Sequence, residues 1–287
     1  MSRIVQLLDS TESFPSPSGV IAEVVETLND DNVNFEKIAR SISMDPTLSG
    51  RILGMANSAY YARGKECSSV QNAIMRIGMD SLSGLVLGAF AAQLGERSNM
   101  AQQHLSQFWR HSLCVAILSK TIARDSRLPH SELAYVTGIL HNIGSLAMQV
   151  LDDSSYGALE LKVRAGSALK EAEEELYGVD HWNLGHHIAM RWKLPKPICA
   201  AIENHHRVDH MDSQDPYRGL SAIVAMGDIL SRHVFAEEPI ITLAPHSESY
   251  TVLVQEITGT TEEKIQEVLH KTSALQEEIS SLVSELL

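Results

Sequence analysis

The stretch Leu128–Leu151, "LPHSELAYVTGILHNIGSLAMQVL", combines a helical pattern with a histidine in an apolar run. Apolar residues recur in it at helical spacing, which predicts one amphipathic helix over the whole stretch. His141 is followed directly by Asn142, where an aspartate would complete a metal-binding His-Asp pair. The stretch therefore leaves three interpretations open: a hydrolase that has lost its metal, a site that still holds one, or a helix with an isolated histidine.

The helical pattern continues on both sides of this stretch. A long amphipathic helix is predicted from His104 to Arg124, and alternating strand patterns are nearly absent apart from the short, ambiguous "PIITL" at 239–243. Aromatic residues make up only 5% of the chain, while leucine, alanine, methionine and glutamate are plentiful, which favours helices over β-sandwiches. The sequence predicts an all-α protein with two packed helical bundles and a C-terminal helical extension.

A polar stretch, "LGERSNMAQQ" at 94–103, separates the two predicted bundles. We expect an N-terminal bundle over residues 1–98, a second helical unit over 99–245 and the extension over 246–287. The last helix carries an apolar stripe that either packs against the chain's own bundle or offers a surface to another protein. The stripe consists of Leu275, Ile279, Leu282, Val283 and Leu286.

Composition excludes several classes of function. The 287 residues are 44% hydrophobic, enough for one large domain or two modest ones. The net charge of −13 repels phosphate backbones and anionic membranes, so we expect neither nucleic acid nor a membrane as a partner. Three separated cysteines form no disulfide framework or zinc ribbon. With no signal peptide and no apolar run long enough to span a bilayer, we expect a soluble, cytoplasmic protein.

Six ionisable residues occur in an order that suggests a shared site. Each is predicted on a helix or at a helix end with apolar neighbours, an arrangement that can direct side chains from several helices into one cavity. Imidazole and carboxylate groups are natural ligands of iron, manganese, zinc and nickel. The set consists of His111, His141, His181, His205, His206 and Asp228.

The remaining histidines are weaker candidates, because a single histidine on a helix is more often an ordinary core or surface residue. We place five of the thirteen histidines in that class: His104, His130, His210, His233 and His246. His186 and His187 share a predicted helix with His181 but have no further support as ligands.

Asn142 limits what such a site can do. Two metal ions that activate a water for attack on phosphate need a bridging group with two anionic oxygens. Asn142 offers one neutral carbonyl oxygen, so a dinuclear centre is weakened. A single ion held by His111, His141 and Asp228 stays chemically open.

Several motifs together resemble the HDOD domain family. The resemblance covers about residues 14 to 210 and keeps the order of the family's motifs. In the first half these are "FPSPSG" (14–19), "ISMDPTLSGRILGMANSAYY" (42–61) and "SSVQNAIMRIG" (68–78). In the second half they are "FWRHS" (108–112), "VTGILHNIG" (136–144), "YGVDHWNLGHHIAMRWKLP" (177–195) and "AAIENHHR" (200–207).

The resemblance implies a fold similar to that of the HD superfamily of metal-dependent phosphohydrolases, and closest to its HD-GYP cyclic-dinucleotide phosphodiesterases. It further implies a bacterial protein that has lost the complete catalytic set and serves as an output or scaffolding module in signalling. The six ionisable residues match the metal-ligand positions of the catalytic relatives, and Asn142 occupies the position of the signature aspartate. Ser145 stands where a lysine is common, and no Gly-Tyr-Pro loop follows "HHR". These departures speak against hydrolysis and assign no catalytic residue.

Three functions remain open. The expected one is a non-catalytic regulatory module that acts on unidentified signalling proteins, with a homodimer left open. The alternative is a metal-dependent phosphodiesterase with an altered site, in which Glu203 or Asp180 supplies the bridging anion. The third is a sensor in which one transition-metal ion (iron, manganese, nickel or zinc) biases the packing of the two bundles.

Overall fold

The structure is a computed structural model that describes residues 3–10, 14–29, 35–62, 64–96, 98, 100–235, 247–273 and 276–287. Across these described ranges every regular element is a helix. The predicted all-α class is therefore confirmed for this part of the chain. The division at residues 98 and 245 stays a prediction, because residues 97, 99 and 236–246 lie outside the described ranges, as does "PIITL" with His246.

The first half of the chain forms short helices with marked ends. Asp45 precedes the fourth helix and accepts a hydrogen bond from the backbone N–H of Leu48 at 3.0 Å, while Pro46 occupies the first helical position. Gly78, with a φ of 80°, separates the fifth and sixth helices, a backbone conformation that favours glycine. The helices are α1 (Arg3–Ser10), α2 (Val20–Thr27), α3 (Phe35–Met44), α4 (Pro46–Asn57), α5 (Val70–Ile77) and α6 (Met79–Glu96).

The second half is built around one long helix. This helix, α7, packs against α8 and α14, and α6 of the first half packs against α8. Two one-turn 3-10 helices, Ser131–Leu133 and Val208–His210, lie between the longer elements. The helices are α7 (Gln102–Ser126), α8 (Ala134–Leu140), α9 (Ile143–Leu151), α10 (Asp153–Arg164), α11 (Leu169–Tyr177), α12 (His181–Arg191), α13 (Lys196–Asn204) and α14 (Arg218–Ser231).

The predicted single helix over Leu128–Leu151 is wrong. The chain turns at His141 and Asn142, between α8 and α9, and Asn142 has a φ of −102° and a ψ of 20°. All seven residues of α8 are buried. A helix buried on every side has no solvent-exposed face whose interruption would mark a break, so periodicity could not reveal the turn.

Helix α10 was not predicted. Asp152 caps it, accepting a hydrogen bond from the backbone N–H of Ser155 at 3.3 Å. Only Tyr156 and Leu159 of this helix are buried. The weak apolar pattern of a mostly exposed helix explains why spacing alone missed it.

The C-terminal helices return to the body of the chain. They are α15 (Glu248–Thr258), α16 (Glu262–Ser273) and α17 (Gln276–Leu286). Helix α17 packs against α4, α6 and α7, and its Ile279, Leu282, Val283 and Leu286 are buried. The apolar stripe therefore packs against the chain itself, and Leu275 lies outside the described residues.

Aromatic contacts hold the N-terminal segment against the end of α12. Trp192 stacks on Phe14 with ring centroids 5.7 Å apart, and Phe90 packs on the same indole at 5.3 Å. The indole N–H of Trp192 also donates to the Pro15 carbonyl at 3.2 Å. These contacts tie the N-terminal segment and α6 to the end of α12.

Among the described helices, none alone combines the length and hydropathy needed to cross a bilayer. The pair α5 and α6 passes that test together, but it is bent by 115°.

Candidate metal centre

Three side chains from three parts of the fold meet in a first cluster, which consists of His111 on α7, His141 in the turn after α8, and Asp228 on α14. The Nε2 atom of His111 lies 3.2 Å from Oδ1 of Asp228 and 3.2 Å from Nε2 of His141. His141 Nε2 lies 3.9 Å from the same carboxylate oxygen. All three side chains are buried. The structure thus brings together the residues that the sequence proposed as a mononuclear site, and metal binding by them stays a prediction.

A glycine brings His141 close to α7. A Cβ atom on Gly138 would lie 2.6 Å from the Cα of Ala116, so the backbones of α8 and α7 touch where no side chain fits between them. Gly138 lies three residues before His141, and its carbonyl accepts a hydrogen bond from the Nδ1–H of that histidine at 2.8 Å. The crossing therefore sets both the depth and the orientation of the imidazole.

Hydrogen bonds on the Nδ1 atoms leave the Nε2 atoms as electron-pair donors. Ser231 gives its hydroxyl proton to the Asp228 carbonyl at 2.7 Å, so its oxygen accepts from Nδ1 of His111 at 3.3 Å. With both rings donating through Nδ1, their two Nε2 atoms and one carboxylate oxygen converge. Three acceptors at these distances favour a cation between them, and the donor set suits a transition metal.

The lowered pKa of His141 suits a metal ligand. Burial, and then the neighbouring His111, lower the pKa of His141 to about 3. Desolvation disfavours the charged imidazolium, so the ring is neutral near pH 7. Metal ligation requires this neutral form.

The other three predicted ligands form a second cluster. His181 begins α12, and His205 and His206 follow α13. One ligand atom from each lies within 4.8 Å of the others. His181 and His205 are fully buried, and His206 is half-buried. Trp182 borders this cluster, with its ring 5.1 Å from that of His181 and 5.3 Å from that of His206.

Two nitrogen atoms of the second cluster are buried without a hydrogen-bond partner. They are Nε2 of His181 and Nε2 of His205. His205 donates its Nδ1–H to the Ile202 carbonyl at 2.8 Å, which leaves Nε2 as a lone pair. Burial, and then the neighbouring His141 and His181, hold the pKa of His205 well below its usual range. Unsatisfied buried nitrogens are costly unless a ligand completes them, so these residues fit a metal ion.

Glu173 is the residue of this centre that sequence reasoning missed. Its carboxylate lies 2.8 Å from Nδ1 of His181 and accepts the backbone N–H of the same residue at 3.0 Å. Although burial alone would lower the pKa of His181, the charge and hydrogen bond of Glu173 raise it overall. The overlooked signal is spacing: Glu173 falls on the buried face of α11 with Leu169, Ala172 and Tyr177.

Arg232 is a second residue without an earlier assignment. Its Nη2 lies 3.6 Å from Oδ2 of Asp228, on the carboxylate oxygen that does not face His111. Arg232 follows Asp228 by one helical turn, the spacing at which side chains of a helix are neighbours. The guanidinium thus places a positive charge beside the buried Asp228 carboxylate.

Asn142 lies in the turn directly after His141, and its Oδ1 is buried without a hydrogen-bond partner. The two clusters adjoin at His141 and His205, whose ring centroids are 5.2 Å apart. A carboxylate at position 142 would bring a negative charge to this junction, and the amide of Asn142 brings none.

Asp180 and Glu203, considered as bridging anions in place of Asn142, make other contacts. Asp180 caps α12 and accepts the backbone N–H of Asn183 at 2.8 Å. Glu203 is partly exposed and pairs with Arg207 at 2.7 Å and with His186 at 3.1 Å. His187 lies against Asp9 at 3.2 Å. None of these residues belongs to either group of candidate ligands found in the described chain.

Comparison with known families covers the histidines of both clusters but not Asp228, which lies beyond the matched residues. Residues 14–208, more than half of the chain, match the pattern of the family described as HDOD domain. An uncharacterized protein of Treponema pallidum is 24% identical over 239 residues, which is 81% of this chain and 45% of that protein. The chain therefore spans less than half the length of this relative.

Solved structures share the fold at low identity. An HDOD domain protein of unknown function from Geobacter sulfurreducens superposes with a TM-score of 0.74 at 24% identity, over 99% of this chain and 97% of that one. A candidate phosphohydrolase from Shewanella amazonensis gives 0.75 at 23% identity, over 99% and 98%. A candidate signal transduction protein from Marinobacter aquaeolei gives 0.78 at 20% identity, over 98% and 61%. At these identities the likeness concerns the fold alone.

Proposed function

Because the chain belongs to the HDOD domain family, we propose that it is a non-catalytic regulatory module of bacterial signal transduction with a metal ion at the first cluster. It acts through contacts with other signalling proteins. Its charge of −13 argues against nucleic acid in that role. A homodimer is compatible with this function.

The observation that carries the proposal is the pairing of an assembled ligand set with Asn142. His111, His141 and Asp228 supply two imidazole nitrogens and a carboxylate oxygen for one ion, which would act there as a Lewis acid when bound. Asn142 and its unpaired Oδ1 provide no anionic bridge to the second cluster. The residues therefore support metal binding at the first cluster more strongly than hydrolysis by a pair of metal ions.

Ion binding at the first cluster gives a physical route to regulation. The three ligands belong to α7, to the turn between α8 and α9, and to α14. An ion that binds only their native arrangement stabilises the packing of these helices by mass action. Helix α7 also contacts α17, so it connects the ligands of the ion to the C-terminal helices.

Elemental analysis tests the binding part of this proposal. Protein purified without added metal or a metal-binding tag is expected to contain a transition metal, and His111→Ala to lose about one equivalent per chain. His104→Ala, on the same helix α7 but outside both clusters, is the matched control and should keep it. Equal metal content in all three proteins would contradict the proposed site.

A cyclic-dinucleotide hydrolysis assay tests the non-catalytic part. We expect no metal-dependent turnover by the wild-type protein with manganese or iron supplied. Turnover that disappears in His141→Ala would replace the regulatory proposal by the second candidate, a metal-dependent phosphodiesterase. The observation in favour of that candidate is the second cluster, which lies directly beside the first.

A further inference from the structure

The strongest contact of the second cluster is made by a residue that is not a candidate ligand. Glu173 places both carboxylate oxygens near Nδ1 of His181, at 2.9 Å and 2.8 Å. One of these oxygens also accepts the backbone N–H of His181 at 3.0 Å. Both side chains are essentially inaccessible to solvent. A buried carboxylate with this many bonds to one histidine is a fixed part of the site.

The position of Glu173 on its helix sets it apart from its acidic neighbours. Glu171, Glu174 and Glu175 are exposed, and the last two pair with surface lysines. Glu173 alone of these four is buried, because it follows Leu169 by four residues and therefore shares its face of α11. Burying a charge is costly unless a partner compensates it, and His181 is that partner.

The contact decides which nitrogen of His181 is available. A carboxylate at Nδ1 keeps a proton on that atom, so in the neutral ring that metal ligation requires, Nε2 carries the lone pair. The same Nε2 is buried without a hydrogen-bond partner and lies in the candidate ligand group with His205 and His206. Hydrogen bonding to a carboxylate also makes the imidazole a stronger electron donor and fixes its orientation.

We propose that Glu173 is a positioning residue that orients and polarises His181, so that the three-histidine cluster holds a divalent transition-metal ion of its own without a carboxylate bridge from the first cluster. The inference rests on the proposed function in taking the centre to be a metal site. It goes further in making the second ion independent of the first. Glu173 provides, through His181, the negative charge that Asn142 does not.

Cobalt titration followed by the Co²⁺ absorption spectrum is the direct test. Wild-type protein is expected to bind at both clusters, with His111→Ala and His205→Ala identifying the spectral component of each. Glu173→Gln keeps the size of the side chain but removes its charge. It is expected to weaken binding at the three-histidine cluster by about 10–100-fold and to leave the first cluster unchanged.

Glu171→Gln is the matched control, since it makes the same change of charge on the exposed face of the same helix. It should bind cobalt as the wild type does. Undiminished affinity of Glu173→Gln at the three-histidine cluster would overturn the inference, and so would an equal loss in both variants. Absence of cobalt at the first cluster of the wild type would contradict the proposed function instead, so the two failures can be told apart.

A second measurement needs no variant. Long-range ¹H–¹⁵N spectra of the zinc-loaded wild-type protein report which ring nitrogen of His181 carries the proton. We expect the proton on Nδ1, facing Glu173, and zinc on Nε2. A proton on Nε2 would refute the positioning role even if Glu173→Gln proved too unstable to study.

Discussion

Replacing Gly144 by alanine is expected to destabilise the protein by about 3 kcal/mol and to disrupt the second cluster. A Cβ atom at this position would lie 1.9 Å from the backbone oxygen of His181 and 2.7 Å from the backbone nitrogen of Gly185. These neighbours are backbone atoms of α12, so no side-chain rotation can relieve the clash. The helix must move away from α9, and His181 must move with it.

Gly157→Ala is the matched control. Gly157 lies in the exposed part of α10, and a Cβ atom there would meet nothing within 4 Å. This variant should be more stable than the wild type by about 0.5–1 kcal/mol, since alanine is the better helix former. Urea unfolding measures both changes. Gly144→Ala with wild-type stability and cobalt affinity would show that α9 and α12 do not pack as closely as described.

Metal-stripped protein is expected to lose stability steeply as the pH falls below 6.5. The pKa of His141 drops from 6.5 in a free side chain to about 3 in the fold. Between these values the unfolded state binds a proton at His141 that the folded state does not bind. The free energy of unfolding therefore decreases as the pH falls. The loss is about 1.4 kcal/mol per pH unit for this group and about 5 kcal/mol over the full window. His205 acts in the same direction, because its pKa is also lowered.

His181 does not offset this loss. Its pKa is raised, so its contribution is already complete below pH 6.5 and is lost only as the pH rises through the folded-state pKa. Urea unfolding in the presence of a chelator is measured at pH 6.5, 5.75 and 5.0. In this range histidines titrate and most carboxylates do not, so the change in the free energy of unfolding comes mainly from the histidines. In His141→Gln the free energy of unfolding should depend less steeply on pH, by the equivalent of about one bound proton. Identical slopes in the two proteins would be inconsistent with a buried neutral His141.

The sequence was most informative where local signals are strong. Asp45 with Pro46 marks the start of α4, and the ordered histidines are indeed gathered from distant segments. It was least informative inside the buried centre. The break at Asn142 leaves no trace in a segment whose every face is buried.

The assignment of carboxylates depended on tertiary contacts that neighbouring positions cannot reveal. Asp180 is adjacent to His181 in sequence, yet it caps the helix. Glu173 is eight residues away, yet it binds the imidazole. Proximity in sequence pointed to Asp180, whereas the helical face of α11 indicates that Glu173 is buried. The separation of His181, His205 and His206 into a second cluster likewise emerges only from the packing of the helices.

The position of Trp182 has an optical consequence. Trp192 packs against two phenylalanines and Trp109 packs against Phe108. The indole of Trp182, in contrast, lies against two imidazoles of the second cluster. A paramagnetic ion such as Co²⁺ or Cu²⁺ held by those imidazoles would quench the emission of this indole and leave the other two less affected. The molecule thus contains its own fluorophore for following the filling of that cluster in real time, without a label.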